Sequence, residues 1–202
     1  MKETLYSRRS NLVVGFHGCD QSIANKIIEG KDDLIASTND YDWLGHGIYF
    51  WENNELRALQ YANDMMGRAH SSVKCPAVIG LGYCMDLTDS LYLGELKESY
   101  NVLVETCRVT GISLPTNSTI GISEDKLLRR LDCAVIETAH QINREVSGRE
   151  FDSVKGVFWE GVELYPDAGF REKNHIQICV RNPNCIKGFF LPRKLDMNYI
   201  NP

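Results

Sequence analysis

Apolar residues follow two different spacings along the chain. Short apolar or alternating runs, which are typical of β-strands, occur at residues 11–17, 47–50, 76–87, 153–159, 175–181 and 185–191. Stretches with apolar residues three or four apart, which are typical of amphipathic helices, occur at about 23–28, from about 54, at 90–109 and at 124–145. The helices interrupt the strands without a regular β-α-β alternation. This order predicts an α+β fold with a largely antiparallel sheet.

Local signals place several boundaries. Asp20 or Ser22 can cap the first helix, and the first strand is expected to end at Gly18. The long apolar run at 76–87 is interpreted as one central strand. Because Pro183-Asn184 favours a turn, the runs on either side of it are expected to form a hairpin.

Composition narrows the class of protein. The chain has 202 residues, with 22 Lys and Arg against 27 Asp and Glu, so its net charge is −5. That balance argues against a surface coated for nucleic acid or anionic lipid, although a local basic patch is compatible with it. The sequence has neither a long apolar run nor the apolar middle of a secretion signal, so we expect no membrane association.

The cysteines and histidines point to a reduced, metal-free protein. The seven cysteines are odd in number and scattered, with no CxxC pair, and the five histidines show no metal-ligand spacing with them. We therefore expect buried thiols and a cytoplasmic location. His70 and His140 are expected at the surface.

Two segments have candidate chemistry. His17-Gly18 closes a buried strand, where a histidine is either a satisfied core residue or a ligand-binding group, and where the glycine lets a ligand approach the backbone. The segment 41–51 holds five aromatic residues, which form either a core strand after a tight turn or a wall on which a planar ring stacks. Asn39 lies just before that segment and Asp42 lies within it. These two residues either line a nucleotide or cap a turn.

These residues carry a resemblance. His17-Gly18, followed about 30 residues later by Leu44-Gly45-His46-Gly47-Ile48-Tyr49-Phe50, resembles the NAD-binding signature of the ADP-ribosyltransferase superfamily, in its poly(ADP-ribose) polymerase-like or diphtheria-toxin-like clade. Tyr61 fits the second tyrosine of that signature, on the helix that follows. The segment Asn174–Val180, with its return at Cys185–Phe190, is similar to the family's last strands. Gln177 stands there in place of the usual glutamate.

The resemblance covers the N-terminal third and the C-terminal fifth of the chain. It implies a single domain over residues 1–202, with a core of two mostly antiparallel, packed sheets. Residues of about 88–150 have no counterpart in the family and are interpreted as a helical insertion. The match is to a compact, stand-alone bacterial member.

The resemblance also implies a binding mode for NAD as co-substrate, without a metal. His17 would bond a ribose hydroxyl on the adenosine side, and the Gly18 backbone would pair with the nicotinamide amide. Tyr49 and Tyr61 would sandwich the nicotinamide ring. The further members of the cofactor-binding set are Asn39, Asp42 and Gly47. The imidazole and both phenol rings are expected to converge on one cleft.

The third catalytic position has two candidates. Gln177 can bond the ribose but brings no charge to the oxocarbenium-like transition state. Glu160, on the loop leading to the last strands, can supply that charge, or it can be an ordinary solvated carboxylate.

Three functions follow from these expectations. The first is an NAD-dependent ADP-ribosyltransferase that adds single ADP-ribose units to a macromolecule, as a toxin or defence effector with a neutralising partner. The second is a module that binds NAD or ADP-ribose with little or no catalysis, which the glutamine at position 177 favours. The third is a nucleic-acid-modifying enzyme of the same fold, against which the acidic balance and the lack of a basic stripe argue.

Overall fold

A computed structural model describes residues 11–66, 72–121 and 125–200. Four helices lie among the described residues, namely α1 (Gln21–Ile28), α2 (Glu55–Met66), α3 (Ser90–Thr110) and α4 (Arg130–Ser147). The strands there are β1 (Leu12–Asp20), β2 (Ile48–Glu52), β3 (Ser72–Gly80), β4 (Cys84–Asp86), β5 (Asn117–Ser118), β6 (Leu128–Arg129), β7 (Ser153–Phe158), β8 (His175–Val180) and β9 (Ile186–Phe189).

Seven strands form one sheet in the order β4-β7-β8-β2-β1-β3-β9, and β5 pairs with β6 in a separate short ribbon. Within the large sheet only β4 and β7 are parallel, and the other five pairings are antiparallel. The structure confirms the predicted α+β class and the largely antiparallel sheet. In the described part of the chain, no helix combines the length and hydropathy needed to cross a membrane.

The expectation of two separate packed sheets is wrong, because hydrogen bonding runs through all seven strands. The link in the middle is narrow, however. Strands β1 and β3 pair along nine residues, Leu12 to Asp20, whereas β1 and β2 share only the pairs Gly15↔Glu52 and Phe16↔Trp51. The sheet therefore consists of a three-stranded half (β1, β3, β9) and a four-stranded half (β2, β8, β7, β4), joined by two residue pairs.

The two faces of the sheet are covered by different helices. One face, here called the Tyr49 face, carries Tyr49 and Cys179 and packs against α4 through Ile136. Helix α2 covers the same face over β1. The other face, here called the Phe50 face, carries Phe50 and packs side chains from both halves of the sheet into one cluster. Helix α1 lies over β1 and β3 on this second face.

Three predicted boundaries need correction. Strand β1 continues past Gly18 to Asp20, which caps α1 as predicted by accepting a bond from the Ser22 N–H at 2.8 Å. The run 76–87 divides into β3 and β4, because a turn at 81–83 interrupts it. The predicted hairpin does not form. Both edges of β8 are already occupied by β2 and β7, so β9 crosses to the edge of β3.

The middle of the chain is helical, as expected. Helix α3 matches the prediction, whereas α4 begins at Arg130 rather than at 124, because β6 takes the two residues before it. Helix α4 lies over the Tyr49 face through Ile136 and Ala139.

Candidate functional site

Strands β1 and β2 part beside Gly18. Their ladder ends at Phe16↔Trp51. In the same register the next two positions would pair His17 with Phe50 and Gly18 with Tyr49, and neither pair is made. The Val14 carbonyl bonds the N–H that follows β2, so Val14 faces β2. Since alternate residues of a strand face the same neighbour, the Gly18 N–H and C=O point toward β2 as well. An edge of main chain therefore faces the opening between the two halves.

His17 takes the hydrogen bond that the ladder leaves unmade. Its Nδ1 lies 2.8 Å from the Tyr49 carbonyl oxygen. A carbonyl can only accept, so Nδ1 carries the proton and Nε2 has a free lone pair when the ring is neutral. Burial lowers the pKa of His17, which favours the neutral ring. The imidazole packs edge-on against Phe50 with ring centroids 5.8 Å apart, so it lies on the Phe50 face.

Tyr49 lies on the opposite face and its hydroxyl is fully engaged. Its Oη accepts from the Leu44 N–H at 2.8 Å and donates to the Gly45 carbonyl at 2.6 Å. Burial raises the pKa of Tyr49. The phenol therefore clamps the loop before β2, and only its ring is left for a ligand.

Tyr61 is 40% exposed and lies against Trp51, with ring centroids 4.9 Å apart. Burial raises the pKa of Tyr61, and the charge of Asp42 adds to this rise. Tyr49 and Trp51 are two residues apart on β2 and therefore share a face. The structure thus brings the two tyrosines to one face. His17 is on the other face, and a single ligand would reach all three only through the opening between β1 and β2.

Asn39 and Asp42 show the turn-capping geometry. The Asn39 N–H donates to Asp42 Oδ2 at 3.1 Å, and Asn39 Nδ2 donates to Ser37 Oγ at 2.9 Å. These bonds use the Asn39 amide group within its own loop.

Both motif glycines are required by packing. A Cβ on Gly18 would lie 2.2 Å from the Ala58 carbonyl oxygen, because α2 packs directly on that strand. A Cβ on Gly47 would lie 2.5 Å from Cys179 Sγ. The fold alone therefore explains these two glycines, whatever binds beside them.

Glu160 is not a solvated loop carboxylate. It is 7% exposed, and Arg57 Nη2 donates to its two oxygens at 2.8 and 2.6 Å. Lys173 Nζ and His175 Nδ1 each lie 3.9 Å from a carboxylate oxygen. Its charge is therefore already compensated by Arg57, with Lys173 nearby, which weakens its field at a distant cation.

Gln177 has the opposite character. It is the ladder partner of Trp51 on β2, it is 8% exposed, and its Oε1 has no hydrogen-bond partner among the described residues. The same holds for Trp51 Nε1, His175 Nε2 and the Nε and Nη1 of Arg57. We call these four residues the unpaired cluster. Buried polar atoms are normally bonded, so such a group is typical of a place where a ligand or water supplies the missing partners.

The members of the unpaired cluster are in mutual reach. Trp51 lies 6.5 Å from His175 between ring centroids, and the Arg57 guanidinium carbon lies 5.9 Å from the Trp51 ring. Sequence analysis did not single out Arg57 or His175. The signal was present, because a residue four before Tyr61 shares its helix face, and a residue two before Gln177 shares its strand face.

His140 does not lie where the sequence predicted it. It was expected at the surface, but it is 1% exposed and packs edge-on against Phe151, 5.8 Å away between ring centroids. Both ring nitrogens lack partners, and burial lowers its pKa to about 4. His70 lies outside the described residues.

The thiols are mostly core residues. Five of the seven free cysteines are buried, and burial raises the pKa of Cys19 to about 11 and that of Cys75 to about 12. Thiols with such pKa values are unreactive at neutral pH. Within residues 11–66, 72–121 and 125–200, no three His, Cys, Asp or Glu side chains are grouped so as to hold a metal.

Comparisons with known proteins add one relative. No family model matches the chain, and no solved structure matches it. The chain is 28% identical over 195 residues to an uncharacterized protein of Methanocaldococcus jannaschii, a match that covers 85% of this chain and 83% of that protein. The likeness extends over most of both chains and has no known activity attached to it.

Proposed function

We propose that this protein is an NAD-dependent ADP-ribosyltransferase that transfers single ADP-ribose units to a macromolecular acceptor. The observation that carries the proposal is the opening between β1 and β2, where Gly18, although paired with Lys74 of β3, has no ladder partner on β2. The His17 and Tyr49 groups border the same opening.

The Gly18 edge suits the nicotinamide carboxamide. That group has one N–H donor side and one carbonyl acceptor, which match the C=O and N–H of a single residue. The Tyr49 ring is fixed beside this edge by its hydroxyl bonds to the loop. Tyr61 is exposed enough to close over the other side of the ring, and a cationic pyridinium on an aromatic face gains about 0.5–2 kcal/mol.

His17 is prepared to accept a hydroxyl. With Nδ1 donating to the Tyr49 carbonyl, the free Nε2 of the neutral ring can accept a hydrogen bond from a ribose hydroxyl. Gln177 Oε1, which is buried without a partner, can accept one from the nicotinamide ribose.

The reaction breaks the bond between the nicotinamide nitrogen and the ribose C1′ carbon, and the electron pair leaves with nicotinamide. The acceptor's nucleophilic atom then forms its bond to C1′ and loses its proton to solvent. In between, C1′ has oxocarbenium character, which a nearby negative charge would stabilise. Gln177 brings no charge and Glu160 is paired with Arg57, so slow transfer of single units is expected rather than chain synthesis.

A second candidate is a module that binds NAD or ADP-ribose without turnover. The observation that favours it is the same lack of a free carboxylate at the position of Gln177. The two candidates differ in one product, because only the transferase releases nicotinamide.

The test uses the purified chain with NAD labelled in its adenosine part, an acceptor-containing lysate and a chromatographic assay for nicotinamide. Tyr61→Ala is the informative variant because it removes the exposed ring. Tyr199→Ala is the matched control, since Tyr199 is 76% exposed on the C-terminal segment. We expect labelling and nicotinamide release by the unmodified chain and by Tyr199→Ala, with at least about a tenfold loss in Tyr61→Ala.

His17→Asn gives an independent arm, because it keeps a donor for the Tyr49 carbonyl but removes Nε2. Equal labelling by the unmodified chain, Tyr61→Ala and His17→Asn would refute the transferase at this site. Tight NAD binding by calorimetry with no nicotinamide release over hours would select the binding module instead.

A further inference from the structure

A cavity of about 510 Å³ lies between α3, α4 and β7. Most of its wall is carbon, from side chains such as Leu44, Leu96, Val135 and Ile136. The cavity is open to solvent on one side, since Leu93 and Val157 in its lining are 49% and 52% exposed. A space of this size, lined by apolar side chains with a small number of polar groups, is typical of a small-molecule site.

One guanidinium is held rigidly in the cavity wall. The Arg129 guanidinium carbon lies 4.2 Å from the Trp43 ring centroid and 4.9 Å from that of Phe158. Trp43 is itself fixed, since its Nε1 donates to the Leu127 carbonyl at 2.9 Å. The aromatic planes therefore set the orientation of the guanidinium before any ligand arrives.

The guanidinium also has donors to spare. Arg129 Nη1 lies 3.3 Å from Asp132 Oδ2, a long contact, and Arg129 Nε is buried with no partner in the part of the chain that the structure describes. Asp132 divides its charge, because Asn117 Nδ2 donates to its other oxygen at 2.8 Å. A second cation, Lys97, is exposed on α3 at the rim of the cavity, so positive charge exceeds negative charge along the wall.

We propose that this cavity binds a small organic monocarboxylate with an apolar or aromatic body. The flat guanidinium fork matches the two oxygens of a carboxylate, and the body of such a ligand would lie against the leucine, valine and isoleucine wall. A dianion such as a phosphate monoester fits less well, because Asp132 lies 3.3 Å from Arg129 and would repel a second negative charge more strongly than a first.

The site is separate from the opening between β1 and β2. Neither His17, Tyr49, Tyr61 nor Gln177 lines the cavity. The two places are nevertheless neighbours, because Leu44 lines the cavity and its N–H donates to Tyr49 Oη. The two proposals are tested with different ligands, so either can fail without the other.

The test measures direct binding of phenylbutyrate, indoleacetate and octanoate to the full chain by calorimetry and by ligand-observed NMR. Each acid is compared with its neutral primary amide, which has a similar shape and lacks the charge. The variants are Arg129→Gln and the matched control Arg130→Gln, whose side chain pairs instead with Asp40 on the outside, at 3.0 Å. Lys97→Gln is added because its exposed position leaves folding intact.

We expect saturable binding of at least one acid in the micromolar to low millimolar range, with its amide at least about tenfold weaker. Arg129→Gln should weaken the acid by at least about tenfold, Lys97→Gln by about twofold to threefold, and Arg130→Gln by less than twofold. If Arg129→Gln fails to fold, the acid-to-amide ratio and Lys97→Gln carry the decision.

Three results would overturn the proposal. The first is no saturable binding of any of the three acids at millimolar concentration. The second is equal affinity for acid and amide. The third is a loss in Arg130→Gln as large as that in Arg129→Gln.

Discussion

Glu160 and Gln177 are both buried polar side chains, 7% and 8% exposed, yet their surroundings are opposite. Glu160 is held by two short bonds from Arg57, with Lys173 and His175 nearby. Gln177 stands beside Trp51 with its carboxamide oxygen unbonded. Arg57 belongs to both surroundings, because its Nη2 holds Glu160 while its Nε and Nη1 are unbonded.

The difference between Glu160 and Gln177 distinguishes two roles that buried polar side chains can have. A compensated ion pair fixes α2 to the loop after β7 and is costly to break on one side. Unbonded polar atoms cost stability in the free protein and gain it back when a ligand bonds them. We therefore assign Glu160 and Arg57 to holding the site together and Gln177 to contacting the substrate.

The largest expected effect comes from removing one member of the Arg57–Glu160 ion pair. Arg57→Met leaves the Glu160 carboxylate buried without its partner, so the free energy of unfolding in urea should fall by about 3–5 kcal/mol. The double variant Arg57→Met, Glu160→Met removes both charges and should lie within about 1 kcal/mol of the unmodified chain. A loss below about 1 kcal/mol in the single variant would show that the pair is not a structural support.

His140 tests whether an unbonded group is costly when no ligand site adjoins it. Its pKa is about 4 in the folded chain against 6.5 ordinarily, so between these values the unfolded state binds more protons. Stability should therefore fall as pH drops from 6.5 towards 4, by up to about 3 kcal/mol, and stay level with respect to this group below that.

Urea unfolding of His140→Leu at several pH values checks this. The variant should lose most of that slope, while His17 and His175, whose pKa values are also lowered, keep a residual slope of the same sign. A slope equal to that of the unmodified chain would contradict the assignment.

A negative charge at position 177 should increase the rate of nicotinamide release. Gln177→Glu places a carboxylate beside Trp51, the ladder partner of position 177. Nicotinamide release should rise by about tenfold or more, since charge near the developing cation stabilises it. Gln141→Glu, on the exposed side of α4, is the control and should leave the rate unchanged. An unchanged or lower rate in the folded Gln177→Glu variant would count against a ribose contact at this position.

The smallest expected effect distinguishes a role of Gln177 in NAD binding from a role in folding stability. Gln177→Met removes an unbonded buried oxygen, so stability should be unchanged or higher by about 1 kcal/mol. NAD affinity by calorimetry should nevertheless fall by about threefold to tenfold, because one hydrogen bond to the substrate is lost. If the Gln177→Met variant loses stability but binds NAD normally, Gln177 supports the fold and does not contact the substrate.

The sequence predicted the parts of this molecule that depend on local pattern. Apolar runs and alternation located β1, β2, β7, β8 and β9 and the stretch that holds β3 and β4, and helical spacing located α1, α2, α3 and most of α4. The ribbon of β5 and β6 was not predicted. The sequence could not predict that β9 leaves β8 for β3, because that choice depends on which strand edges remain free in three dimensions. The interpretation of 185–191 as a hairpin partner of 175–181 failed for this reason.

The site was predictable to a similar extent. His17, Tyr49, Tyr61 and Gln177 were found from motif positions, and the structure places them on adjoining strands and on α2. The Arg57–Glu160 pair was not found, because its members are 103 residues apart and nothing in the local pattern joins them. The burial of His140 was also missed, since a polar residue on an amphipathic helix gives no sign of where the helix will be covered.

The tight contacts of Gly18 with Ala58 and of Gly47 with Cys179 affect how related sequences are compared. Steric demand alone preserves these glycines, so a descendant that has lost all catalysis would still retain the greater part of the signature. Retention of the motif in a relative therefore indicates a shared fold. Whether a given relative retains the proposed activity is better judged from His17, Tyr61 and the side chain at position 177, which the proposed reaction uses and which these glycine contacts do not fix.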